Sequence, residues 1–435
     1  MSAVTVNAAA LSVEAPIGHR TIDKRSYKTP LILTGVTVLL AVLLLASPRP
    51  GSTTFTLATA QDAVQIPQAI VPGMAFAWVC MIGAALLTLA AAWRAWSYAK
   101  LPGWALALFA LVAIAAFLGW AGAGAQGHIN VVSLIANAVL VAIPLVFGAL
   151  GGVIGEKAGV VNIAIEAQLL MAAFTGAVTG SLTGNPWAGL CAAILSSALV
   201  GAVLGVFAIT YRVEQVIVGV VLNVLVAGIT TFLFSAWLAT DSSRLNNTLT
   251  VRFPAVGIPL LDGIPIIGPA LFRQSIIVYI MYVAVAAVWF ALYRTRWGLR
   301  IRAIGEHPQA ADTVGIRVNV MRYGAVIIAG AIVGIGGASY TLVSNPSFNR
   351  EMTAGFGYIA LAAVIFGNWN PVRAAFAGLL FGFAINLQQV LGVIGSPVPS
   401  QFMLMLPYVV TLLAVAGLVG RSRAPAADGV PYIKE

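Results

Sequence analysis

The side chains that could do chemistry in this chain are few, and most of those inside apolar runs are amides. Asn162 and Glu166 lie four residues apart in GEKAGVVNIAIEAQLL (155–170), Asn223 lies in a later run, and Asn386, Gln388 and Gln389 lie in another. Glu166 is the one carboxylate well inside such a run, where an ionisable group is expensive and marks either a pathway or a packing lock. Two readings of it stand side by side. Gly155 and Gly159 around Glu156 and Lys157 favour a backbone break, and broken helices with polar groups are where transporters bind small solutes. Alternatively Glu166 and Asn162, one helical turn apart, bond to each other or to nearby backbone and fix helix packing. Neutral amides without an opposing charge suit an uncharged polar solute better than an ion. Phe356, Tyr358 and Phe366 offer faces able to stack on a base or sugar, although each taken singly reads as packing.

Enzymatic constellations do not assemble. His19, His128 and His307 have no HExxH-type spacing, and Cys80 and Cys191 sit singly in apolar runs as small packing residues. The sequence has no GxxxxGK[ST] phosphate loop, so any ATP that drives it is hydrolysed by another subunit. No nucleophile, base or metal set is on offer, and no cofactor is expected on this chain.

The elements that must position these amides are membrane helices. Of 435 residues, 60% are hydrophobic and 8% charged, against about 25% charged in soluble domains. Runs long enough to cross a hydrocarbon core of about 30 Å recur along the whole chain. Crossings are expected near residues 31–47, 71–93, 104–122, 131–152, 160–182, 188–210, 215–239, 275–293, 322–343, 355–367, 374–394 and 402–420. The fold class is therefore all-α, polytopic, with about twelve crossings. The run 355–367 is too short to cross alone, so it borrows residues from Arg350 onward or is a half-helix buried against protein. The first run reads as a crossing rather than a signal peptide ending near Ala46, because the polar leader before it is long.

With the N-terminus inside, only Arg49, Arg244, Arg252, Arg273 and Arg350 of the 23 basic residues fall on the outer side. That bias places both termini in the cytoplasm, and it assigns the net charge of +10 to orientation rather than to nucleic acid. Small residues at four-residue spacing (Gly148 and Gly152, Gly176 and Gly180, Gly201 and Gly205, Gly330 and Gly334, Gly378 and Gly382) indicate close helix packing in lipid. The outer stretch 240–274, with four prolines and several Ile and Leu, predicts a structured cap. Inside, Pro308 followed by Gly315 predicts a short helix with Pro in its first turn and Gly at its end. The plain alternative for this inner stretch is a solvated basic loop.

Three stretches carry a resemblance. GALGGVIGEKAGVVNIAIEAQLLMAAF (148–174), RTRWGLRIRAIGEHPQAADTVGI (294–316) and GFGYIALAAVIFGNWNP (355–371) resemble the membrane permeases of bacterial ABC importers for nucleosides, simple sugars and branched-chain amino acids. The nucleoside branch is the most similar, and PLLDGIPIIGPALF (259–272) also looks like it. Ala167 stands where the family usually has Gly. The resemblance covers about residues 129–420. It divides the chain into a cytoplasmic tail (1–30), an extension with three crossings (31–128), the permease core (129–420) and a second tail (421–435).

The resemblance implies a core of two inverted halves, crossings 4 to 7 and 9 to 12, in the bacterial inner membrane. It also implies a cytoplasmic loop pressing on a separate ABC ATPase, with Arg302, Glu306, Pro308, Ala310, Ala311 and Gly315 in the contact. Partners implied are that ATPase, a second related permease or a second copy, an extracytoplasmic solute-binding protein, and lipid. The solute pathway is expected at Asn162, Glu166, Asn223, Phe366, Asn386 and Gln389. A sugar or other small polar metabolite is the alternative solute. An ion-coupled secondary transporter is the rival class, disfavoured because such proteins more often carry paired ionisable groups at mid-membrane and Glu166 has no obvious cationic partner at depth.

Overall fold

A computed structural model describes residues 27–59, 62, 64–99, 101–125, 127–395, 401, 405 and 423–434. In lipid each backbone amide must be satisfied within its own segment, so the apolar runs become helices. In chain order these are α1 (Lys28–Ala46), α2 (Gly73–Trp96), α3 (Gly103–Ala121), α4 (Val131–Lys157), α5 (Ile165–Thr183), α6 (Pro186–Gly205) and α7 (Gln215–Leu233). The cap carries α8 (Ser242–Leu245) and α9 (Ile267–Phe272). There follow α10 (Ile276–Arg294), α11 (Arg296–Glu306), α12 (Pro308–Thr313), α13 (Val318–Ser339), α14 (Phe356–Phe366) and α15 (Pro371–Val393).

Among the described residues ten helices are long and apolar enough to cross a membrane, and they coincide with ten of the expected crossings. The chain is a polytopic helical membrane protein. The expected short run is α14, whose 11 residues reach only about 16 Å at ~1.5 Å per residue. The expected crossing at 402–420 lies outside the described residues, apart from Met405, and so does the leader before Tyr27.

Local chemistry sets the helix ends. Asn130, Asn185 and Asn370 each accept a bond from the first turn they precede (Ser133, Trp187, and Val372 with Arg373), and Pro186 and Pro371 occupy first helical positions. α6, α7 and α13 each close with a wider π turn, at Val206–Thr210, Phe234–Leu238 and Tyr340–Ser344.

α4 is the central column, packed by α15, α13, α14 and α10. The paired glycines make these approaches. Gly148 and Gly152 face Ala360 and Val364 of α14, Gly378 and Gly382 face Val146 and Ala142 of α4, and Gly330 and Gly334 face Ser197 and Ala193 of α6.

Two ends of the bundle differ. At one, the cap pairs β4 (Ala255–Gly257) with β5 (Arg273–Ser275) and is pinned to the chain after α13 by Thr248 N to Pro346 O (3.0 Å) and Phe253 N to Leu342 O (3.0 Å). The expected structured cap is thus folded. On the same side β1 (Ser52–Thr56) pairs with β2 (Ala69–Pro72) and with β3 (Ile129–Asn130), which attaches the first three helices to α4. Arg273 joins this layer to the cap through Asp62 at 2.9 Å. At the opposite, basic end, α11, α12, the end of α4 and residues 423–434 lie against one another.

Candidate solute pathway and coupling surface

The backbone breaks where the glycines foretell it. α4 ends at Lys157, residues 158–164 carry no regular helix, and α5 begins at Ile165. Ile165 packs beside Gly148, nine residues above the end of α4, so the broken stretch climbs back about 13 Å into the bundle at ~1.5 Å per residue. α14 begins within about one turn of that level, since Gly357 in its first turn packs on the Glu166 backbone and Ala360 in its second packs on Gly148. Two helices therefore start inside the bundle, and their unpaired first-turn amides need acceptors there.

Glu166 supplies them for α14. Its carboxylate accepts from the Thr353 hydroxyl (2.6 Å), the Gly355 amide (2.9 Å) and the Gly357 amide (2.6 Å). It also stands in the first turn of α5, so the positive ends of two helix dipoles bear on one anion. This arrangement explains why a carboxylate is held here by neutral donors. The expected partner Asn162 is not used, because the donors across the bundle are at hand. A Cβ at Gly357 would overlap the Glu166 backbone, which is how closely the two helix starts approach.

Asn223 of α7 serves α5 in the same way. Ala164, at the N-cap, has no side-chain acceptor, so Asn223 Oδ1 takes the Ala167 amide (2.9 Å). Its Nδ2 donates to Ile163 O (3.0 Å) and reaches Tyr358 Oη (3.1 Å). Phe356 lies edge-on to Tyr340 at 5.9 Å between ring centres. The Tyr340 hydroxyl is buried and has no hydrogen-bond partner among the described residues. Carboxylate, amide, phenols and aromatic faces thus meet at one level of the bundle.

The other candidates lie elsewhere. Asn162 is fully buried and donates to Gln168 Oε1 (3.0 Å), a pair of its own. Asn386 donates to Leu134 O (2.7 Å) and ties α15 to α4 near the cap end, while Gln389 on the same helix is exposed. Phe366 is at the far end of α14, against Phe381 at 6.2 Å. Sequence reasoning missed Tyr340, Thr353 and Gln168. A hydroxyl two residues before a glycine N-cap (Thr353, Gly355) was the available signal for one of them.

At the basic end, Thr295 caps α11 by accepting the Gly298 amide (3.1 Å), and Arg302 lies over the Tyr293 ring at 5.2 Å. The predicted short helix is α12. Pro308 opens it, and Gly315 N to Asp312 O (2.9 Å) with Ile316 N to Ala311 O (3.1 Å) closes it as a Schellman motif. Pro308 and Ala311 are buried and seat the helix, whereas Ala310, Gly315 and Val314, the last 75% exposed, face outward. Glu306 is exposed and its Oε2 accepts the Ala426 amide (3.2 Å). A cavity of about 250 Å³ lined by Arg300, Gly315, Arg317 and Met321 opens beside α12.

Known proteins match this chain over the same region. Residues 134–415 match the family described as branched-chain amino acid transport system / permease component. The guanosine ABC transporter permease protein NupQ of Bacillus subtilis is 40% identical over 320 residues, 70% of this chain and 98% of the relative. The nucleoside ABC transporter permease protein NupC of Lactococcus lactis is 36% identical over 310 residues, 69% of this chain and 96% of the relative. A putative glucose ABC transporter permease protein of Haloferax volcanii is 37% identical over 255 residues, 59% of this chain and 76% of the relative. No solved structure matches. With well over half of its length matched to the family and near-complete relatives at this identity, the chain belongs to the branched-chain amino acid transport system permease family, as a multi-pass transport subunit.

Proposed function

We propose that this chain forms the solute path of an ATP-driven importer for nucleosides in a bacterial inner membrane, working with a separate ATPase, a second permease and an extracytoplasmic binding protein. The observation that carries the reading is the junction at Glu166. Two helices begin inside the bundle beside Asn223, Tyr340, Phe356 and Tyr358, which together offer hydrogen bonds and ring faces to a neutral ring-bearing solute. The names of the two nucleoside relatives support the solute class. In this scheme the binding protein delivers solute at the cap, where Leu260 is 93% exposed. ATP is bound and hydrolysed on the partner, and this chain holds no cofactor.

Movement enters at α12. The outward residues Ala310 and Val314 meet the ATPase, while buried Pro308 and Ala311 transmit the push to α11 and the inner end of α4. From there it reaches the broken stretch 158–164 and the helix starts at Glu166. Uptake of labelled guanosine by cells carrying the chain with its genomic neighbours tests the reading. Uptake that requires the ATPase is expected, and uptake that persists without any ATPase contradicts it.

A sugar is the second reading, favoured by the Haloferax volcanii relative. Competition decides between them: excess unlabelled nucleoside suppresses uptake under the first reading and excess glucose under the second.

A further inference from the structure

Residues 423–434 lie across the basic end as a strap with a turn at 426–429, and they touch both the coupling helices and the broken stretch of the proposed coupling route. Toward the coupling helices, the Ala427 amide donates to Gly305 O (2.9 Å), the Ala426 amide to Glu306 Oε2 (3.2 Å), and Lys434 Nζ stands 3.7 Å from Asp312 of α12. Toward the broken stretch, a Cβ at Gly159 would lie 2.9 Å from Ala427 O, and one at Gly429 would lie 3.5 Å from the Val161 side chain. Arg322 of α13, only 1% exposed, joins the two: its Nε donates to Ala158 O (3.1 Å) and its Nη1 to Val430 O (2.9 Å). The Arg423 amide reaches Asn368 Oδ1 (3.3 Å) in the turn between α14 and α15. Tyr432 is buried in the main apolar cluster, which anchors the far end of the strap.

A loosely attached tail does not bury an arginine and a tyrosine. The strap is held mainly through backbone amides and carbonyls, so its position is set by the path of the chain. It bridges α11 and α12, which are not continuous with residues 158–161, to that stretch by a second route parallel to the direct contact of α11 with α4. We propose that residues 423–434 are a positioning element that moves with α11, on which α12 is mounted, and carries the displacement to the broken stretch below Glu166, so that ATP hydrolysis and solute movement stay coupled. This inference rests on the coupling reading given above.

The test uses proteoliposomes containing the whole transporter with its ATPase and binding protein, with labelled guanosine as the probe, and measures solute moved per ATP hydrolysed. Deleting residues 423–435 is expected to leave ATP hydrolysis running while solute moved per ATP falls by about tenfold, within the range of ordinary coupling energies. Should the deletion fail to assemble, Ala427→Pro in the full chain removes the amide bond to Gly305 and is expected to uncouple in the same direction, with Ala427→Gly, which keeps the amide, restoring wild-type coupling. A merely structural role would lower hydrolysis and transport together. An unchanged ratio of transport to hydrolysis in the deletion or the proline variant, or parallel loss of both, overturns the strap. A wild-type transporter that moves solute without ATP overturns the coupling reading itself and the strap with it.

Discussion

The junction at Glu166 and the basic end perform similar structural tasks by opposite means. At the junction two helix starts are fixed by single side chains, Glu166 for α14 and Asn223 for α5, each taking several bonds. At the basic end α11, α12, α13 and the strap are fixed by many bonds, most of them from main-chain groups and one strap end from an exposed ion pair. The difference teaches where the molecule is fragile. A junction that concentrates its bonds in one carboxylate fails on a single substitution, whereas a contact spread over Gly305, Glu306, Arg322 and Asn368 loses only a part when any one side chain is removed.

The sharpest way to break that contrast is Glu166→Ala. It strands the Thr353 hydroxyl and the Gly355 and Gly357 amides, and each buried group left unpaired costs ~1–3 kcal/mol, so a loss of at least about 3 kcal/mol is expected in unfolding of the detergent-solubilised protein. Retained stability in that variant would mean that α14 does not depend on Glu166. Asn223→Ala should cost about 1–2 kcal/mol by the same measurement, since it uncaps Ala167 and frees Ile163 O.

A smaller effect separates the ends by pH. Burial pushes the Asp428 carboxyl up to about 7, against the lowering influence of the Gly429 amide, Arg322 and Lys157, while Glu156 of α4 also faces it. A carboxyl raised in the docked state favours docking below its ordinary value of 3.8 and loses that contribution as pH climbs through about 7. Hydrogen exchange in residues 423–434 is therefore expected to quicken from pH 5 to pH 8 beyond the intrinsic chemical rate, and Asp428→Asn should flatten that rise. An identical excess in both proteins would refute the assignment to Asp428. At the bottom of the scale, Lys434→Ala removes a largely exposed pair with Asp312 and should change stability by less than about 0.5 kcal/mol. A larger loss would show the basic end to be as concentrated as the junction.

Much of this was legible in the residues, and the reasons it stopped are physical. Hydropathy located ten of the crossings because lipid leaves the chain no alternative to helix, and of the two readings of the short run 355–367 the half-helix is the one found, as α14. Pro308 and Gly315 marked α12 because their backbone preferences act locally. Glu166 stood out by its cost, yet its partners are 187 to 191 residues away in sequence, a distance over which periodicity says nothing. Asn386 looked like Asn223 in composition and differs only in where its helix places it, against Leu134 near the cap end. The strap was invisible because amides and carbonyls, common to every sequence, make most of its contacts.

The most direct test of the coupling account is guanosine uptake by Ala310→Arg against wild type at equal membrane abundance. Ala310 is exposed on α12, so the added arginine leaves the seat formed by Pro308 and Ala311 intact and obstructs only what docks from outside. The account predicts that uptake collapses while the variant remains folded. Uptake at the wild-type rate would contradict the claim that α12 is where the ATPase acts.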